Sequence, residues 1–279
     1  MAALRHTRDN PLRVALAGFG NVGRQLAPRL AAGEIPQIRL VAISAADLDR
    51  AREASAGLDP RPLVLPAAEL PAHADVVVEC ATYDAFPEIA RATLTAGKTL
   101  LAVSVGALAA NLDLIDLAER YGGVIQIANG AMPGLDEIRC AREAGIETVT
   151  LASRIRPDSL AKEPYVRAQG FDFAAPPKAP VRVFQGTARE AAAAFPRHFN
   201  VAVALSLAGI GLDRTRIEVW CDPDIPGAIH HVEVESEAVR LDMTAHNRPS
   251  PANRNTSRIV APSIMAALRN MVSPIRVGS

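Results

Sequence analysis

The residues best placed to do chemistry begin at Gly18-Phe19-Gly20-Asn21-Val22-Gly23, between the apolar run RVALAGFG (13–20) and NVGRQLAPRLAAG (21–33), a stretch of helical periodicity stopped by Gly33. In a strand–turn–helix setting each glycine has a separate task. Gly18 permits the tight turn, Gly20 lets a pyrophosphate approach the backbone, and Gly23 lets helix and strand pack closely. The helix start around Asn21 and Val22 adds amide donors and a positive dipole. The chemistry expected of this turn is binding of NAD or NADP. The second strand ends Ile43-Ser44-Ala45-Ala46-Asp47, so Asp47 comes late for a ribose hydroxyl and is placed to cap the next helix. Arg50 and Arg52 stand where a 2′-phosphate would be met, and use of either nicotinamide cofactor is the expectation.

A second group of residues could move protons or hold a charged substrate. His230 and His231 lie on IHHVEVES (229–236), where alternation sends them to opposite faces of a sheet. An imidazole suits acid–base work near neutrality, and a strand histidine is equally at home as a packed residue. His198 neighbours Asn200 at a helix start. Arg154, Arg156, Lys162 and Arg254 either meet a substrate carboxylate or are solvated surface charges, while Asn253, Thr256 and Ser257 either donate hydrogen bonds or cap the following helix. Asp222-Pro223 either orients an imidazole or starts a turn. Cys80, in Glu79-Cys80-Ala81-Thr82, has no base nearby in sequence and reads as a small buried residue rather than a nucleophile. The three cysteines, Cys80, Cys140 and Cys221, show no CxxC or Cys/His spacing, so neither a disulfide framework nor a metal site is expected.

The elements that must position these groups change character along the chain. The first half alternates strands and helices: IRLVAIS (38–44), a helix from Asp47, a short strand near 63–65, ADVVVECA (74–81), DAFPEIARATLTAG (84–97), KTLLAVS (98–104), NLDLIDLAERYGG (111–123) and VIQIAN (124–129). That order predicts a doubly wound, Rossmann-like parallel sheet over 1–130. From 131 to 256 strand-like runs follow one another, IETVTLASRI (146–155), VRVFQG (181–186), TRIEVWCD (215–222), IHHVEVES (229–236) and AVRLDMTAH (238–246), with helices near 187–194 and 197–209. The second domain is therefore expected to be α+β, serving substrate binding and oligomerisation. Residues 257–279 carry an apolar helical pattern expected to pack back on the first domain.

Composition removes several classes of function. In 279 residues, Lys+Arg 30 balance Asp+Glu 30, so the footprint of a nucleic-acid or polybasic membrane binder is missing. A hydrophobic content of 49% excludes disorder. MAALRHTRDNPLR lacks the apolar core of a secretory signal, and no apolar run approaches the roughly 18 residues of a membrane span, so a cytoplasmic protein is expected.

Taken together with the glycine turn, NGAMPGLDEI (129–138), FPRHFNVAVALSLAGIGLDRTRIEVWCDP (195–223), AIHHVEV (228–234) and RPSPANRNTS (248–257) run through nearly the whole chain in one order. In that respect the sequence resembles the L-aspartate dehydrogenase family. The resemblance implies oxidation of L-aspartate to iminoaspartate with NAD or NADP, a step linked to NAD biosynthesis; a homodimer is expected because it is the commonest soluble oligomer, and charge and hydropathy predict no nucleic-acid or membrane partner. It also implies roles: His230 as the catalytic histidine, and Ala131 and Asn200 as cofactor contacts; by residue type and position, His198, Asn253, Thr256 and Ser257 are the candidates for the substrate side. Several positions depart from the family pattern: Ala228 replaces an asparagine, Asn129 a serine, His198 an asparagine, RNTS (254–257) lacks a lysine, and SRIRPDSL (153–160) lacks a Lys-Pro-Pro. Two alternatives stay open on those departures: a related imine or amino-acid dehydrogenase with another small acidic substrate, and an inactive NAD(P)-binding regulatory protein.

Overall fold

Burial patterns separate the two halves of the chain. In the computed structural model, which describes residues 6–173, 175, 177–196 and 199–278, two compact units form. One comprises the chain up to Ala128 together with the segment from Ala261 onward, the other Asn129–Val260.

The first unit runs β1 (Leu12–Ala17), α1 (Gly23–Ala31), β2 (Ile38–Ser44), α2 (Leu48–Ala54), β3 (Leu63–Val64), α3 (Leu70–His73), β4 (Val76–Glu79), α4 (Phe86–Thr95), β5 (Thr99–Ala102), α5 (Asp113–Tyr121) and β6 (Val124–Ile127). All its strands pair in parallel in the order β3-β2-β1-β4-β5-β6. Val14 to Ala17 of β1 and every residue of β4 are buried, because helices on both faces leave such strands no solvent side. The order reverses beside β1, which lies between β2 and β4, and open sheets of this build take ligands at that switch point.

The second unit runs α6 (Leu135–Glu143), β7 (Ile146–Ile155), α7 (Pro157–Leu160), α8 (Pro164–Ala168), β8 (Val181–Thr187), α9 (Ala188–Ala194), α10 (Asn200–Ala208), β9 (Arg216–Cys221), β10 (Ile229–Ser236) and β11 (Arg240–His246). Its sheet, ordered β11-β10-β7-β9-β8, is antiparallel except where β7 meets β9. Here burial alternates: Val149, Leu151 and Ser153 of β7 and His230, Val232 and Val234 of β10 are buried, while Glu147, Arg154 and Glu233 are exposed. The covered face packs on helices; at the end of α10 a β-carbon on Gly209 would stand 3.4 Å from Ile138 of α6 and 3.5 Å from Val149. α9 opens with a capping box in which the Thr187 side chain and Glu190 satisfy each other's backbone amides. Phe195 extends the covered face, its ring centroid 5.7 Å from Phe184 and 4.9 Å from Phe199.

The C-terminal α11 (Val260–Val272) belongs, from Ala261, to the first unit. Ala261, Ile264, Met265 and Leu268 form its buried stripe, and Arg269 donates to the Glu34 carbonyl at 3.2 Å. Among the described residues no helix is long and apolar enough to cross a membrane.

Candidate active site

At the glycine turn, backbone crowding decides which glycine is required by the protein itself. Gly18 has φ +116°, and a β-carbon there would stand 2.4 Å from the Cys80 carbonyl oxygen; one on Gly23 would stand 2.2 Å from the Gly18 carbonyl oxygen. A β-carbon on Gly20 would meet nothing within 4 Å. Gly20 is exposed, and its lack of a side chain keeps open space above the backbone at the start of α1. The turn therefore fits a dinucleotide: two glycines close the protein's own packing, and the third leaves a bare backbone for a pyrophosphate. Asn21 and Val22 are half-buried beside it, with the Asn21 carbonyl accepting from the Gln25 side chain at 2.9 Å.

The neighbouring end of β4 is held by a buried carboxylate. Glu79 accepts from the amide of Ala81 at 2.9 Å through one oxygen, and from those of Val103 at 3.2 Å and Ser104 at 2.9 Å through the other. Burial raises its pKa, and these amides work in the opposite direction. Cys80 donates its Sγ–H to the Gly18 carbonyl at 3.2 Å, and burial pushes its thiol far up, so it secures the turn as an inert group. Asp47 caps α2, accepting from the Arg50 amide at 2.9 Å; Arg52 pairs with Asp49, and Arg50 is exposed.

In the second unit, strand pairing sets His230 directly opposite Ser153. His230 is 6% exposed, and its Nδ1 lies 3.0 Å from the Ser153 hydroxyl, its one hydrogen-bond partner among the described residues. Burial lowers its pKa from 6.5 to about 4, so the ring is neutral at neutral pH. The serine hydroxyl can donate to Nδ1 or accept from it, which leaves Nε2 to act as donor or as acceptor in turn. Asp222 takes no part in orienting this ring. Its buried carboxylate pairs with Arg154 at 2.8 Å and accepts from the Asp224 amide at 3.0 Å.

His231 points to the opposite, open face and shares its Nδ1 with the Thr244 hydroxyl at 2.8 Å. With Arg154, Trp220 and His246 it lines a shallow hollow of about 470 Å³. The same face brings ligand-type atoms of His231, Glu233 and Asp242 within 4.8 Å of one another, a convergence made by strand pairing and absent from sequence spacing.

Around the His230 end of the sheet a network of hydrogen bonds gathers several sequence-predicted residues. The Asn247 amide donates to the Ala228 carbonyl at 2.9 Å, its side-chain nitrogen to the Ala131 carbonyl at 3.4 Å, and the Ser257 hydroxyl to the Asn247 side-chain oxygen at 2.9 Å. Asn253 is exposed and accepts from the amides of Asn255 and Thr256, so it organises its own loop. Asn200 begins α10, Lys162 and Arg254 are exposed, and His198 lies outside the described residues. Sequence reasoning had no claim on Ser153 or Asn247. Ser153 stands 77 residues from His230, and only the register of β7 on β10 joins them.

The family model described as "Aspartate dehydrogenase, C-terminal" matches residues 136–271, and the one described as "Homoserine dehydrogenase, NAD binding domain" matches residues 18–128. The chain is 44% identical over 269 residues to L-aspartate dehydrogenase 3 of Bordetella bronchiseptica, covering 96% of this chain and 98% of that one. To the L-aspartate dehydrogenase of Bradyrhizobium diazoefficiens it is 39% identical over 273 residues, covering 98% and 96%. The crystal structure of aspartate dehydrogenase from Thermotoga maritima shares the fold, with a TM-score of 0.71 at 23% identity, covering 96% of this chain and 99% of that one.

Proposed function

Because the chain belongs to the L-aspartate dehydrogenase family, we propose that it oxidises L-aspartate to iminoaspartate with NAD or NADP, and in reverse reductively aminates oxaloacetate. The observation that carries the chemistry is the buried, neutral His230 paired with Ser153.

Gly18, Gly20, Asn21, Val22 and Gly23 would hold the cofactor, with Ala131 and Asn200 as further contacts, and it would supply the hydride acceptor. Loss of hydride from the substrate Cα leaves a C=N bond whose nitrogen must shed a proton. With Nδ1–H donating to Ser153, the Nε2 lone pair of His230 takes that proton, and in the reverse direction the imidazolium returns it. Burial keeps this ring neutral at neutral pH, so its lone pair is available to the substrate nitrogen. His198, Asn253, Thr256 and Ser257 are assigned to the substrate side. We place the enzyme in the cytoplasm as a homodimer whose product feeds NAD biosynthesis; the similarity to L-aspartate dehydrogenases supports the reaction, and the frequency of twofold homo-oligomers supports the dimer.

The test is a spectrophotometric assay of NADH and NADPH separately, with L-aspartate in one direction, oxaloacetate plus ammonia in the other, and other acidic amino acids beside them. Turnover is expected with aspartate, and His230→Ala is expected to lower kcat by about 100-fold or more while cofactor affinity stays near wild type. Cofactor binding without turnover on any of these substrates would refute the proposal, and an unchanged rate in His230→Ala would remove the histidine from the mechanism.

A further inference from the structure

Of the 30 Lys and Arg residues in the chain, Arg156 is the one buried cation among the described residues, at 7% exposure. It stands at the junction of β7 and α7, three residues beyond Ser153, where its carbonyl accepts from the amides of Ser159 and Leu160. Its Nη2 lies 3.0 Å from a carboxylate oxygen of Asp158, yet among the described residues neither Nη1 nor Nη2 has a hydrogen-bond partner. Asp158 is itself largely exposed, so its carboxylate is shared with water. A buried guanidinium left in that condition is costly, and a structural role would have satisfied its fork.

The surroundings tie Arg156 to the histidine. The Ser159 hydroxyl, on the same turn, donates to the Asn255 side-chain oxygen at 3.0 Å. Two residues on, Ser257 donates to Asn247, whose amide is bonded to Ala228 at the entry to the His230 strand. The turn carrying Arg156 and the strand carrying His230 are thus joined both through β7, by way of Ser153, and through the loop 247–257.

We propose that Arg156 is the receptor for a carboxylate of the substrate, its unsatisfied guanidinium fork donating to the two oxygens side by side. The assignment rests on the reading of this chain as a dehydrogenase of an acidic amino acid, and it adds the group that selects that substrate class. Arg154, two residues earlier, cannot share the task, because its guanidinium is committed to Asp222.

The test uses the full-length protein with saturating cofactor and measures binding of succinate, propionate and inorganic phosphate by calorimetry, alongside aspartate kinetics. Wild type is expected to prefer succinate to propionate. Arg156→Gln is expected to weaken succinate by about 100-fold and to raise KM for aspartate comparably, with cofactor affinity unchanged. Arg156→Lys, which keeps the charge and loses the fork, should fall between them and serves if the glutamine variant does not fold. Asp158→Asn should bind succinate at least as tightly as wild type, since it frees the guanidinium. Succinate affinity unchanged in Arg156→Gln or Arg156→Lys, or Arg156-dependent binding of phosphate in preference to succinate, would overturn the assignment. Failure of the enzymatic reading is separate: there aspartate is not turned over, while succinate binding still depends on Arg156.

Discussion

Acid should loosen the second unit through His230, and the size of the effect follows from its burial. In the unfolded chain the ring titrates near 6.5; folded, it titrates at about 4. The folded-state pKa is depressed, so between these values the unfolded chain binds more protons than the folded one. Stability from this group is therefore intact above 6.5, falls as the pH drops through the window, and is fully lost near 4. At roughly 1.4 kcal/mol per unit, the loss amounts to about 3 kcal/mol, a large share of a domain's net stability. The chain has a single tryptophan, Trp220 on β9, so its fluorescence during urea unfolding reports the second unit alone. Wild type and His230→Gln should be compared at several pH values; glutamine can still bond Ser153 but does not titrate. Carboxylates contribute equally to both curves, and their difference isolates the imidazole. Curves that stay parallel from 6.5 to 4 would refute the reasoning. The same depressed pKa places the acid limb of kcat/KM near 4 rather than 6.5.

Two further outcomes concern the first unit. Gly20→Ala should fold normally, since its β-carbon meets nothing within 4 Å, and should weaken cofactor binding by about tenfold or more through lost backbone approach; Gly23→Ala, set 2.2 Å from the Gly18 carbonyl oxygen, should lower the melting temperature as well, and fluorescence titration with thermal unfolding separates the two effects. Glu79→Gln puts an amide donor among three backbone donors that now share one carboxylate, so it should cost about 1–3 kcal/mol in chemical unfolding, and a stability equal to wild type would show the carboxylate to be dispensable.

What could be read from the sequence is what is local in the chain. The glycine turn is complete within six residues, and Val14 to Ala17 declare a strand buried on both faces without reference to any partner. β7 and β10 likewise match the predicted runs 146–155 and 229–236, because their side chains alternate about one covered face. α6 was not foreseen. It carries charges on most of its surface and buries only Leu135, Ile138 and Ala141, a stripe too narrow to stand out beside the motif that precedes it. Pairing across the sheet is not written in either strand, so Ser153 as the partner of His230, and Arg154 rather than the histidine as the partner of Asp222, emerge only with register. Nothing in SRIRPDSL distinguishes Arg154 from Arg156 by residue type. The end of β7 makes the difference: the strand presents Arg154 to the open face, where Asp222 and water satisfy it, and the turn into α7 buries Arg156 with its fork unsatisfied. A position's chemistry thus depends on where the strand stops: the pairing of β7 ends at Arg154 on one side and Ile155 on the other, and Pro157, which has no amide hydrogen to donate, opens the helix that follows.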